Sequence, residues 1–359
     1  MKRLLRIIAI CLICAIVPLS FSCANPGNGS GEEKGLVLKK YGNDSYYTVI
    51  RYYEEDGVDN LTISAQTVKS VTGDDDAVVG KIKAGAFDGN ASLKSVVVKS
   101  DVSGTTDLTI EEGAFKNMKS LESITLPFVG KNKSGDAFLF QTESAVDKAV
   151  DKERTIGWVF GEDQADYTAA VSLNYGTGSA TFYIPVPLTK ITVENDSEEG
   201  INIPMYAFCG LNQVYEINLK GNIKAIGEAA FKDMKHLIKI NIPDTVTDIY
   251  SSAFEGTDSL KNFNANGFSF GDNPSLVEIW DSAFKGTCLT AFTLPATVTR
   301  IGESCFAQSS LTSFEVSSPS ELAAVGSYAF YGSDKLQISS DAFPAGCTFG
   351  VWWNEGTKA

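Results

Sequence analysis

Few residues in this 359-residue chain have types and spacings that could do chemistry. The chain holds one histidine, His236, in the variable stretch Lys232-Asp-Met-Lys-His236-Leu237, with no nucleophile pattern beside it. A Ser-His-Asp or Cys-His site is therefore not expected, and a three-histidine metal site is impossible. The downstream cysteines, Cys209, Cys288, Cys305 and Cys347, form no Cys-x-x-Cys pair that would suggest zinc. Gly176-Thr-Gly-Ser179 is not followed by the Gly-Lys-Ser/Thr of a phosphate loop, and Asp74-Asp-Asp76 lacks the spacing and final Glu of an EF-hand loop. A glycosidase needs only two carboxylates, but Glu111, Glu228, Glu303 and Glu321 occupy variable positions with no aromatic cleft implied around them. No catalytic residue, metal or cofactor is expected.

One residue looks like a substrate for chemistry instead. Lys2, Arg3 and Arg6 precede an apolar stretch from Ile7 to Leu19 that contains no acid, the layout of a secretory signal rather than a membrane span. The stretch ends Leu19-Ser-Phe-Ser-Cys23, which resembles the lipobox of bacterial lipoproteins, loosened in the middle by Phe21. That resemblance implies cleavage before Cys23 and diacylation of its thiol, so residues 1–22 are expected to be a signal peptide and Cys23 a lipidation site. Residues 23–35 are expected to be anchor and flexible tether, being rich in Gly, Asn and Ser. The implied location is the bacterial cell envelope, lipid-anchored at the outer membrane or cell surface. Loss of residues 1–22 would move the formal charge from -14 to -17. A body this acidic is a poor nucleic-acid binder and should touch the membrane only through its lipid.

Any functional side chain must be positioned by a repeating framework. An aliphatic residue, three variable positions, a small residue and Phe recur at 82–87, 110–115, 203–208, 226–231, 249–254, 279–284, 301–306 and 325–330. Successive Phe spacings of 23, 23, 30, 22 and 24 from Phe208 onward fall in the range of leucine-rich repeats, whose units stack to bury one apolar side. After each Phe comes an aliphatic about six residues on, then a strand-like run such as Leu237-Ile-Lys-Ile-Asn-Ile242-Pro243. Alternation places Ile240 and Ile242 inside and Lys239 and Asn241 outside, and Pro243, which has no N–H to donate, ends the strand. Cys305 fills a small-residue slot and Cys288 precedes a repeat leucine, so both are expected to be buried thiols, with a disulfide between adjacent turns left open. Eight turns at the spacing of neighbouring strands would span roughly 40 Å.

The run from Ile to Phe to Leu to Pro resembles the BspA-type leucine-rich repeats of bacterial surface proteins over residues 82–349. Leu126-Pro-Phe-Val-Gly130, Gly157-Trp-Val-Phe-Gly161, Phe182-Tyr-Ile-Pro185 and Leu188-Thr-Lys-Ile-Thr-Val193 are similar to the long atypical repeat of that family. The expected fold is thus a leucine-rich-repeat solenoid, β-rich, with a short strand plus an irregular or short helical turn per repeat. Its divisions would be a strand cap over 36–81, repeats over 82–126, an atypical inserted repeat over 127–200, repeats over 201–340 and a cap over 341–359. Tyr46 to Tyr53 and Leu61 to Ile63 are expected to pair as the N-terminal hairpin cap, and Trp352-Trp353 to cover the last coil.

The resemblance implies an interaction protein that binds extracellular or host proteins, with adhesion to host or other cells as the role; a monomer is expected. The candidate binding face is the outward side of the strands, at Glu216, Asn218, Lys239, Asn241, Asn262 and Asn264. The alternative anchors are Trp158, Tyr167 and Tyr175 in the insertion, which a glycan-binding lipoprotein for nutrient uptake would present as an exposed platform. A structural envelope spacer would have no distinct patch at all.

Overall fold

The computed structural model describes residues 34–103, 107–133, 139–140, 151–175, 178–261 and 268–355, with the side chains of residues 174–178 left out. Cys23 and its tether, Asn262, Asn264 and the side chain of Tyr175 therefore lie outside the described residues.

The alternation in each repeat sets a strand with one apolar side. Lys239–Ile242 buries Ile240 and Ile242 and turns Lys239 and Asn241 outward. It lies parallel to Glu216–Gly221, with Glu216 opposite Lys239 and Asn218 opposite Asn241, so equivalent residues of successive repeats form columns. Seven such strands make one parallel sheet in the order Asn60–Ile63, Ser95–Val98, Ser123–Leu126, Lys190–Asn195, Glu216–Gly221, Lys239–Ile242 and Phe268–Phe270. Ala291–Leu294 and Ser313–Val316 pair in the same manner. A second parallel row of shorter strands runs from Ile201–Ile203 through Asp248–Ile249 to Thr348–Phe349. The result is a parallel β-solenoid of about nine turns.

The repeat Phe residues stand between the two rows. Phe208, Phe231, Phe254, Phe284, Phe306 and Phe330 stack in one file, with centroids 5.0 to 5.5 Å apart and planes within 13° of parallel. Tyr52, Phe87 and Phe115 form a similar file toward the N-terminus. Every repeat Phe is essentially inaccessible to water. Burying such a ring stabilises by about 1.5–3 kcal/mol, and each stacked pair adds about 0.5–1.5 kcal/mol. The turn that delivers the ring is held by backbone bonds between repeats, for example from Phe231 N–H to the Ala253 carbonyl at 2.8 Å. It also needs left-handed backbone two residues after the Phe, supplied by Gly286 and, less comfortably, by Gln308 at φ 57°.

The atypical repeat supplies a turn of its own. Phe115 N–H donates to the Val159 carbonyl, the bond that elsewhere reaches a small residue, so Val159 stands in the small-residue slot and Phe160 in the Phe slot. The phrase 156–160 is one residue shorter than the others, which hides it from the repeat pattern. An antiparallel hairpin, Thr168–Tyr175 with Gly178–Pro185, packs over this turn before Lys190–Asn195 rejoins the sheet in register with Ser123–Leu126.

The N-terminal cap differs from expectation. Tyr47–Tyr53 pairs antiparallel with Gly35–Lys40, and Asn60–Ile63 instead opens the long sheet beside Ser95–Val98. Leu61 and Ile63 point inward in register with Val96 and Val98, and that burial outweighs local hairpin pairing. At the other end Trp353 occupies the small-residue slot, and its ring packs on Phe330, Phe343 and Phe349. Trp352 does not cover the coil; it is 59% exposed.

Candidate functional site

The outward columns of the long sheet bring Glu216, Asn218, Lys239 and Asn241 together. Strand register sets Lys190, Glu216 and Lys239 in one column. Glu216 Oε1 lies 3.1 Å from Lys190 Nζ and 3.2 Å from Lys239 Nζ, and accepts a 2.9 Å bond from Asn218 Nδ2. Partial burial pushes the Glu216 carboxyl up, but the bonds from Asn218, Lys190 and Lys239 outweigh it and hold the group below the usual glutamate value. The next outward column but one repeats the device, with Glu194 paired to Lys99 and to Lys220. Between the two charged columns run Thr125, Thr192, Asn218 and Asn241, the last donating from Nδ2 to the Leu219 carbonyl at 3.2 Å. The face is polar, ordered in register and already internally paired.

Of the alternative anchors, the two whose side chains are described, Trp158 and Tyr167, do not form an exposed platform. Trp158 is 7% exposed and its indole N–H donates to the Ile110 carbonyl at 2.7 Å, so it is an interior residue of the inserted turn rather than an exposed anchor. It is held there because 157–160 takes the place of a repeat turn. Tyr167 is half-buried, with Lys119 Nζ 5.2 Å from its ring.

An aromatic cluster that sequence reasoning missed lies on the opposite row. Tyr250 and Trp280 follow the short strands Asp248–Ile249 and Glu278–Ile279, with ring centroids 5.0 Å apart. Phe140 reaches them from the insertion, 5.2 Å from Tyr250 and 6.3 Å from Trp280 and nearly parallel to both. The Leu139 carbonyl accepts from Glu228 N–H, and the Arg300 guanidinium sits 5.7 Å from the Trp280 ring. The signal was an aromatic in the same slot of two consecutive repeats, Ile-Tyr and Ile-Trp.

Several of the residues named above as candidates for chemistry have structural partners. His236 is exposed and its Nδ1 lies 2.7 Å from the Asn212 carbonyl, which makes that nitrogen the protonated one. Asp74 accepts from the Tyr47 hydroxyl at 3.4 Å, Asp75 pairs with Lys69, and Glu111 accepts from Ala84 N–H while facing Lys81. All four downstream cysteines are free thiols. Cys305 is buried, whereas Cys288 is only partly so. Burial pushes the Cys209 thiol up to about 12 and that of Cys305 further, the opposite of what a nucleophile needs. Among the described residues no group of three His, Cys, Asp or Glu is placed to hold a metal, and no helix is long and apolar enough to cross a membrane.

Comparison with known proteins follows the same lines. The family described as BspA type leucine-rich repeat region matches in six copies over residues 74–146, 177–273 and 277–343, more than half of the chain. No curated protein sequence matches. Among solved structures, a leucine-rich repeat protein from Bacteroides ovatus is 16% identical, with 90% of this chain and 91% of that one covered and a TM-score of 0.36. A leucine-rich cell surface protein from Faecalibacterium prausnitzii is 19% identical, with coverage of 84% and 73% and a TM-score of 0.32. A leucine-rich repeat protein from Eubacterium ventriosum is 24% identical with a TM-score of 0.30; the match covers 36% of this chain and spans only 33% of that protein's length.

Proposed function

This chain belongs to the BspA-type leucine-rich repeat family, and on that premise we propose that it is a lipid-anchored envelope protein that binds extracellular proteins through its strand face. Proteins of this family are typically found at the cell surface, and their solenoids are typically non-enzymatic. The observation that supports the strand face is the in-register, aromatic-free set of outward columns, whose side chains are held by one another before any partner arrives. A surface ordered in advance loses little side-chain entropy on binding. Cys23 is proposed as the anchor and the residues after it as the tether, which would hold the solenoid away from the bilayer.

The test is binding of the mature chain to solubilised extracellular-matrix proteins. Asn218→Trp with Asn241→Trp blocks the strand face and should abolish capture, while Tyr250→Ala with Trp280→Ala should leave it intact. The reverse pattern would move the site to the aromatic cluster. Cys23→Ala should shift the protein from the membrane to the soluble fraction, and continued partition into detergent would refute the anchor.

A further inference from the structure

The strand face carries more than polarity, because its lysines and glutamates are unequally placed. Lys99, Lys190, Lys220 and Lys239 have side chains 38 to 58% exposed, whereas the glutamates they share, Glu194 and Glu216, are only 20% and 25% exposed. Each carboxylate serves two ammonium groups, so cations outnumber anions two to one, and the carboxylates lie beneath them. An ammonium has three donors, and one bond to a glutamate leaves the others directed at solvent. A chain with a formal charge of -14 thus presents a cationic strip over the middle of its sheet.

The strip has a pattern as well as a sign. Lys190 and Lys239 lie along one edge, Lys99 and Lys220 along the other, and the Asn218–Asn241 column runs between them. Both asparagines spend a donor within the protein, Asn218 on Glu216 beside it on the face and Asn241 on the Leu219 carbonyl, which leaves their Oδ1 atoms as acceptors on the midline. Successive acceptors are about 4.8 Å apart, the spacing of neighbouring strands.

We infer that this strip takes an extended acidic peptide segment, its backbone N–H groups on the asparagine column and its carboxylates on the two lysine edges. The inference rests on the strand-face reading above and deepens it by naming the partner's chemistry. Charge complementarity selects an anion, and the two midline acceptors take N–H donors of the kind a peptide main chain carries; the sulfated sugar is the outcome the test must separate. The half-buried glutamates set the strength. They offset part of the cationic field, so removing their charge should tighten binding rather than weaken it.

The experiment uses the mature chain and a fluorescent peptide of about twelve residues with Glu at alternate positions, titrated at low and at physiological salt. Its Gln counterpart and a sulfated oligosaccharide are the comparison probes. Replacing Lys99, Lys190, Lys220 and Lys239 together with Gln should weaken the acidic peptide by about tenfold or more, and added salt should weaken it for wild type. Glu194→Gln with Glu216→Gln should strengthen it about threefold or more. Lys235→Gln with Lys335→Gln, off the strip, should change nothing. No binding of the acidic peptide, equal binding of the Gln peptide, or weaker binding in the glutamate variant would overturn the inference, as would binding of the sulfated oligosaccharide alone. If the strip ignores the peptide while the Asn218→Trp and Asn241→Trp variant still loses matrix capture, this inference fails and the strand-face reading stands. If the peptide binds through the lysines but matrix capture survives that variant, the broader reading fails.

Discussion

Phe231 is the second of six rings in the longest file, with a stacked neighbour on each side, and replacing it with Ala probes the packing on which every surface column depends. The ring is fully buried, between Phe208 at 5.3 Å and Phe254 at 5.0 Å. Emptying a buried Phe site costs about 3–5 kcal/mol, the value depending on how far the surroundings collapse. Here collapse is opposed, because backbone bonds from Phe208 N–H to Ala230 and from Phe231 N–H to Ala253 fix the rung spacing on both sides. The cost should therefore lie in the upper half of that range, about 4–5 kcal/mol. Phe231→Leu keeps most of the apolar volume and should cost about 1–1.5 kcal/mol. The assay is equilibrium unfolding in urea followed by the fluorescence of the four tryptophans, with circular dichroism as a second probe. Stacked repeats share stability with their neighbours, so a loss of coincidence between the probes would mark the array splitting at residue 231. A cost below about 1 kcal/mol for Phe231→Ala would refute the ring file as the source of the solenoid's cohesion.

Three further outcomes follow from particular residues. Gly286→Ala should cost about 1 kcal/mol from left-handed backbone alone, since the nearest atom an added Cβ would meet is the Gly256 backbone nitrogen at 3.9 Å, and Gln308→Gly at the equivalent slot should gain a similar amount; thermal melts of both check this. Glu216 has a folded-state pKa below its ordinary value of 4.5, so its contribution is complete above that value and is lost as pH falls below it through the folded value. Glu216→Gln should flatten that part of the stability-versus-pH curve, and an unchanged acid limb would contradict the pairing. Native protein treated with a maleimide should leave Cys305 unmodified until denaturant is added, as read by mass spectrometry of peptides.

Much of the framework was legible because two periods, the alternation in the strands and the recurrence of small residue plus Phe, must both hold for repeats to stack. Ile240 and Ile242 inside with Lys239 and Asn241 outside follow from the pleat alone. Phe160 escaped because the inserted turn is one residue short, and the same oversight made Trp158 look available when its place in the turn buries it. The pairing of Gly35–Lys40 with Tyr47–Tyr53 was hidden because Leu61 and Ile63 have stronger partners in the next repeat than in the nearby hairpin. Outward residues could be placed in columns from sequence, but not the sharing of Glu216 between Lys190 and Lys239. That sharing depends on Lys190, which returns after the whole insertion to the rung beside Glu216.

Partners are expected to engage the outward columns of the long sheet. The most direct test is a photo-crosslinking amino acid placed at Asn218 on that face, or at Ser252 on the turn side, of the mature chain exposed to solubilised extracellular-matrix proteins. Covalent adducts are expected from position 218, suppressed by excess unmodified chain, and none from position 252. Adducts from position 252 alone would contradict engagement of that face.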